Sequence, residues 1–248
     1  MNFLSKKYNN LNLMKINYDP FKKQNNGSIR AAVLGINDGL VSNFCLVMGV
    51  SGGISESANT NIIILAGYAA LVAGSLSMAA GEYISVKSEK EINEKKVNEK
   101  KTRISSNPNT EEEKLVLIYI DKGFSTHEAK KIAGKIISNP KVALQTIAIE
   151  HLGLNPNELG APWIAAISSL IAFAVGASIP LIPFLFFDLA QANVLTSILS
   201  GIALMSVGGA ISKSSGNNIF WGAIRMLLIG SFAASITFIM GFLIGVSI

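Results

Sequence analysis

Residues 31–50 read AAVLGINDGLVSNFCLVMGV. The run is long and apolar enough to cross a bilayer, which takes about 20 mostly apolar residues, yet it carries Asn37 and Asp38. Asp38 lies eight positions beyond Arg30, which at the helical rise is roughly 12 Å of depth. A charged Asp near the bilayer centre costs about 2.5–3.5 kcal/mol on insertion scales, so such residues face a bundle interior or a polar path. Asn37-Asp38-Gly39 also reads as a turn, since Asp-Gly is a turn signal. A turn there would leave about a dozen residues to Ser51, too few to span. A third possibility is a neutral Asp bonded to a neighbouring helix. The favoured reading is an intramembrane acid with a functional role.

The rest of the chain has the same character. Of its 248 residues, 50% are hydrophobic and only 15% charged, a balance typical of membrane proteins. Five stretches qualify as spans: about 31–52, 61–85, 162–187, 192–212 and 223–246. They are rich in Gly, Ala and Ser, which suits close packing of membrane helices. Pro180 and Pro183 should kink or break the third span near one end. The very short loop at 188–191 makes spans three and four a tight hairpin. Cys45, the single cysteine, has no disulfide partner and belongs to no zinc spacing. Residues 1–29 are polar, lack the apolar core of a signal peptide, and read as a flexible basic cytoplasmic tail.

The net charge of +5 in a soluble protein would point to nucleic acid or an acidic surface. Here its distribution matters more, and no nucleic-acid partner is expected. Of the 21 Lys and Arg, six fall at or before Arg30, thirteen between Lys87 and Lys141, and the last two are Lys213 and Arg225. With five spans all of them lie in or beside one side, whereas the other side carries Glu56 and Asp188. The positive-inside rule places the N-terminus in the cytoplasm and the C-terminus outside.

Residues 86–161 form a polar block between spans two and three. Nothing breaks the helix between span two and SVKSEKEINEKKVNEKKTR, so span two should continue to about Arg103, where SSNPN ends it. Thr110 with Glu113, and Ser125 with Glu128, have capping-box spacing. Gly123 is a plausible C-terminal stop, and a last helix should run from about Pro140 to Leu152. The expected architecture is an all-α membrane protein: a tail (1–29), transmembrane helices one and two (30–85), a cytoplasmic helical insert (86–161) and transmembrane helices three to five (162–248). The interleaved charges of the insert also suit a merely solvated helical face.

In span two, Met78 and Glu82 are four residues apart and share a helix face, at a depth similar to Asp38, with Ser75 and Ser77 nearby. Taken singly, Met78 reads as packing and Glu82 as an interfacial charge. Together with Asp38 they form a chemical set. Two carboxylates can hold a divalent cation and exchange it for protons, and a thioether adds a soft ligand. Mg²⁺ and Ca²⁺ gain little from sulfur, whereas later first-row metals tolerate it, so the set favours Fe²⁺ or its neighbours.

GINDGLVSNF (35–44) and LVAGSLSMAAGEYISV (71–86) resemble the vacuolar iron transporter family, as do GASIPLIPF (176–184) and RMLLIGSFAASITFIMGFLIG (225–245). The resemblance covers about residues 30–248. It implies five transmembrane helices and a homodimer that exports Fe²⁺, often with Mn²⁺, from the cytosol in exchange for protons, along a path between the two copies of span one. Asp38, Met78 and Glu82 match the family's membrane residues. In the insert, the family holds metal with glutamates and with a Met and a Glu on the last helix. Anchored on Pro108 and Tyr119, Glu111 falls on one glutamate position, while three others become Lys100, Arg103 and Lys114. Anchored on HLGL, Ile147 stands at the Met and His151 at the Glu; Glu150 is adjacent, and Glu99 is one position from a family glutamate. Protonated Lys and Arg repel a cation. The insert site is therefore lost, or rebuilt from Glu99, Glu111, Glu150 and His151, His being a good ligand when neutral.

The expected function is proton-coupled export of Fe²⁺, and of Mn²⁺, for metal homeostasis or detoxification. No cofactor is permanently bound, and the setting is a cell or vacuolar-type membrane. Asp38 is the central metal and proton site, Met78 a soft contact at the cytoplasmic entrance, and Glu82 attracts and relays the cation. Gly35 and Gly39 would permit close helix approach in a dimer. The alternative is a membrane-bound metal-binding or scaffolding protein that does not transport. An enzyme is not expected: the chain lacks a Ser/His/Asp set, a phosphate loop and a zinc motif, and His127 and His151 both lie in the charged insert.

Overall fold

The computed structural model describes residues 20–55 and 60–245, with side chains from residue 27. Among the described residues the chain is helical: α1 (Pro20–Gly53), α2 (Asn61–Ser106), α3 (Pro108–Asp121), α4 (Thr126–Ile137), α5 (Pro140–Leu152), α6 (Pro162–Ser178), a 3₁₀ segment (Ile179–Leu185), α7 (Leu189–Ser214) and α8 (Ile219–Gly245). Five helices are long and apolar enough to cross a membrane, namely α1, α2, α6 with its 3₁₀ extension, α7 and α8. The chain is a multi-pass integral membrane protein. The helix α1 starts at Pro20, inside the stretch read above as a tail; residues 1–19 and Glu56 lie outside the described residues.

The chain divides into two compact units. The first comprises Gly27–Ser88 with Ala161–Ile248. Its helices meet through glycine. Gly35 lies against Ser169, where a Cβ would come within 2.7 Å of the carbonyl oxygen; Gly39 lies on the backbone of Phe173, and Gly176 on that of Ile36. Further along, Gly49, Gly52 and Gly53 of α1 abut Gly241 and Phe238 of α8. Lipid supplies no hydrophobic drive between helices, so this close backbone contact is a main source of cohesion. Gly35 and Gly39 are thus used within the chain, against α6. That corrects the expectation that they serve a dimer contact: the space above them is already filled.

The prolines act locally. A 3₁₀ carbonyl accepts from the residue three positions on, and Pro183 has no N–H to offer Pro180. Thr196 of α7 fills the gap, donating its hydroxyl to the Pro180 carbonyl at 3.0 Å. Apolar side chains close around this point: Val47, Ile63, Leu181, Phe184, Leu189 and Ala192 form one buried cluster. A second joins Leu40 and Phe44 to Leu204 and Ala234.

Residues Glu89–Gly160 belong to the other unit. Its core is Ile104, Leu115, Ala133, Ala143 and Ile147. The helix α3 starts at Pro108 behind Asn107, with no side-chain cap, so the Thr110–Glu113 capping box does not form. Proline is pre-set for the first helical position and lacks the N–H that would go unpaired there, which moves the N-cap three residues earlier, from Thr110 to Asn107. The Ser125–Glu128 box does form. Asn139 caps α5 and Gly153 ends it in the left-handed region, φ 65°.

Candidate functional site

The helix α1 passes through Asn37-Asp38-Gly39 without a break, so the turn reading of this tripeptide does not hold. A cavity of about 390 Å³ opens beside it. Asp38, Ser42, Asn43 and Leu46 line it from α1, Ala70, Gly74, Ser77 and Met78 from α2, and Phe173 from α6. At 100° per residue the four α1 positions span one side of that helix, as do the four from α2. Gly74 is required by the Phe173 ring, which lies where a Cβ would be.

The polar groups differ in depth. Asp38, Ser42 and Ser77 are exposed on this chain, Met78 is half-buried and Asn43 is buried. Ser42 donates its hydroxyl to the Asp38 carbonyl at 2.5 Å, the ordinary resting place of a helical serine. Asn43 donates Nδ2 to the Ala177 carbonyl at 2.6 Å. That carbonyl sits where α6 tightens into the 3₁₀ segment, three residues before Pro180, which has no N–H. A carbonyl can only accept, so it must face the NH₂ of the amide. Asn43 Oδ1 is left buried without a hydrogen-bond partner, which costs about 1–3 kcal/mol unless something occupies it.

Asp38 and Met78 therefore face one cavity. Glu82, one turn beyond Met78 on α2, is not among the lining residues. Its carboxylate pairs with Arg30 of α1 at 3.4 Å, the arginine exposed and the glutamate largely covered. Near this pair the Tyr83 and Trp163 rings stack at a tilt, centroids 4.7 Å apart.

In the Glu89–Gly160 unit the residues proposed for a rebuilt site are engaged separately. Glu111, 2% exposed, takes Lys100 on Oε2 at 3.3 Å and Lys114 on Oε1 at 2.7 Å. Burial alone would raise its pKa, but the hydrogen bond from Lys114 and the charge of Lys100 outweigh it and hold the carboxyl below its ordinary range. Glu150 pairs with Lys122. Glu99 lies in a groove along α2 with Glu94, Lys95 and Asn98, and His151 is exposed. Ile147 is core. Among the described residues, no three His, Cys, Asp or Glu side chains converge as a metal-binding group.

Ser42 was not singled out from the sequence; its i,i+4 spacing to Asp38 was the signal that could have found it. Asn43 had a weaker signal, a polar residue in an apolar run. Phe173 had none, because its place depends on how α6 docks.

The profile of the VIT family matches residues 29–242. A vacuolar iron transporter of Centaurea cyanus is 31% identical over 212 residues, covering 85% of each chain. One from Acanthamoeba castellanii is 32% identical over 223 residues, covering 88% of this chain and 78% of that one. Vacuolar iron transporter homolog 2.1 of Arabidopsis thaliana is 32% identical over 211 residues, covering 85% and 78%. These relatives are named as transporters, not as enzymes. On the extent of these matches, the chain belongs to the vacuolar iron transporter (VIT) family.

Proposed function

We propose that the protein exports Fe²⁺, and Mn²⁺, from the cytosol in exchange for protons, across a cell or vacuolar-type membrane. The observation that carries this reading is the shared cavity: a carboxylate from α1 and a thioether from α2 face the same space within the spanning helices. A carboxylate binds either a divalent cation or a proton, which is the minimum requirement for exchange. The thioether favours a late first-row metal over Mg²⁺. The relatives' names supply iron as the cargo.

Asp38 is the exchange site and Met78 the soft contact. Glu82 draws the cation in at the cytoplasmic end, where Arg30 competes for it. The basic residues orient the chain with its N-terminus inside, which makes Glu89–Gly160 cytoplasmic. The exposed Trp163 and Trp221 fall at the same end and suit an interfacial aromatic belt. Asp38, Ser42 and Ser77 form a polar face in mid-span, which lipid does not tolerate. A second copy of the chain covering that face makes the transporter a homodimer.

The test is Fe²⁺ and Mn²⁺ flux in proteoliposomes under an imposed pH gradient, wild type beside Asp38→Ala. Gradient-driven flux that the variant loses supports the reading. Normal transport by Asp38→Ala sinks the mechanism, and absence of wild-type flux from intact, folded protein favours metal binding or scaffolding without transport.

A further inference from the structure

We propose that the side-chain oxygen of Asn43 is a neutral ligand for the transported cation and biases the site toward harder divalent ions. The inference rests on the transport reading above and adds a residue to its site. Three observations support it. Asn43 lines the same cavity as Asp38 and Met78. It is 2% exposed, the most buried polar side chain there. Its amide nitrogen is committed to Ala177, which fixes the amide's orientation and leaves Oδ1 without a partner.

Buried polar atoms are nearly always paired. An unpaired oxygen on a side chain that lines the cavity is therefore a place where an ion, or the water it carries, completes the bonding. The bond to Ala177 acts as the orienting support that metal ligands usually have. Chemically the site becomes one carboxylate, one amide oxygen and one thioether. The two oxygens suit Mn²⁺ and the sulfur suits softer ions. Without the amide oxygen the site retains the carboxylate and sulfur, and its preference moves toward soft cations.

The experiment is a titration of the full-length protein in detergent with Mn²⁺ and with Cd²⁺, comparing wild type, Asn43→Ala, Asn43→Asp and Asp38→Ala. In Asn43→Ala the Mn²⁺ Kd should rise about tenfold while the Cd²⁺ Kd changes less than about threefold. In Asn43→Asp only the protonated carboxyl can donate to the Ala177 carbonyl as the amide does; its second oxygen then takes the place of Oδ1, and the variant should hold Mn²⁺ at least as tightly as the wild type. A purely structural role would weaken both metals together, and that result overturns the proposal. If Asn43→Ala does not fold, Asn43→Asp carries the test: its Mn²⁺ preference over Cd²⁺ must exceed the wild type's, and an unchanged preference overturns the proposal. Wild-type affinities in both Asn43 variants, with binding lost in Asp38→Ala, remove the Asn43 ligand and leave the transport reading standing. No Mn²⁺ binding by the wild type, or undiminished binding by Asp38→Ala, overturns the transport reading and this inference with it.

Discussion

Gly39 of α1 lies directly on the backbone of Phe173 in α6, so that a Cβ at residue 39 would collide with the Phe173 carbonyl. The contact sits one residue from Asp38, so packing and site share the same turn of helix. The Gly39→Ala variant should lose about 1–3 kcal/mol of stability through overpacking, because a backbone carbonyl cannot swing aside as a side chain can. Gly81, with nothing within 4 Å of an added Cβ, is the control; Gly81→Ala should stay within about 1 kcal/mol of wild type. Thermal unfolding of both variants in detergent checks the contrast.

Met78 can be tested without disturbing the fold. Leucine nearly conserves its volume, a swap that costs under about 1.5 kcal/mol, but removes the sulfur. Met78→Leu should therefore fold normally and transport Fe²⁺ with a KM raised severalfold. Flux measured per folded protein decides it: an unchanged Fe²⁺ KM would reduce Met78 to packing.

The Arg30–Glu82 pair predicts a charge effect with little change in stability. An arginine this exposed contributes at most about 1 kcal/mol to folding. Its positive charge nonetheless stands beside the glutamate proposed to attract the cation. Arg30→Gln should lower the Mn²⁺ KM severalfold in low salt, and the gain should shrink at high ionic strength, where screening weakens both attraction and competition. A salt-independent KM equal to wild type would count against Glu82 as the entry residue.

Glu111 gives a pH prediction. Its carboxyl is held below its ordinary value of 4.5 in the folded chain. The contribution is therefore fully present above about pH 4.5 and is lost as pH falls through the lower folded value. Glu111→Gln should remove this dependence. It should also cost about 3–5 kcal/mol, because Lys100 is left buried without its counter-charge. Hydrogen exchange across α2 to α5, measured between pH 6 and pH 3 in wild type and variant, tests both effects.

Much of this molecule was legible in its sequence. Runs of about 20 apolar residues leave a chain little choice but helices in a bilayer, because an unpaired backbone group in lipid is too costly. That accounts for the five spans. Local chemistry set several helix ends in the same way: Ser125–Glu128 cap α4, Asn139 caps α5 and Gly153 terminates it. Where two local signals competed, at Pro108 and Thr110, the stiffer one prevailed, since proline fixes its own φ.

The site itself was only half legible. Asp38 stood out because an acid inside an apolar run is expensive, and Met78 because it shares a specific motif with Glu82. Spacing along one helix says which residues share a face, but not what that face meets. Only the tertiary structure decided that Gly35 and Gly39 are filled by α6, that Phe173 walls the cavity, and that Asn43 turns its NH₂ to a carbonyl left over by Pro180. It also decided that Glu111 spends both its oxygens on lysines. All but the last depend on the docking of segments far apart in the chain, and the Lys100–Glu111 pair on how α3 folds back beside the end of α2. Helix formation is written in neighbouring residues, whereas the pairing of a buried polar atom is settled only when a distant backbone arrives within hydrogen-bonding distance.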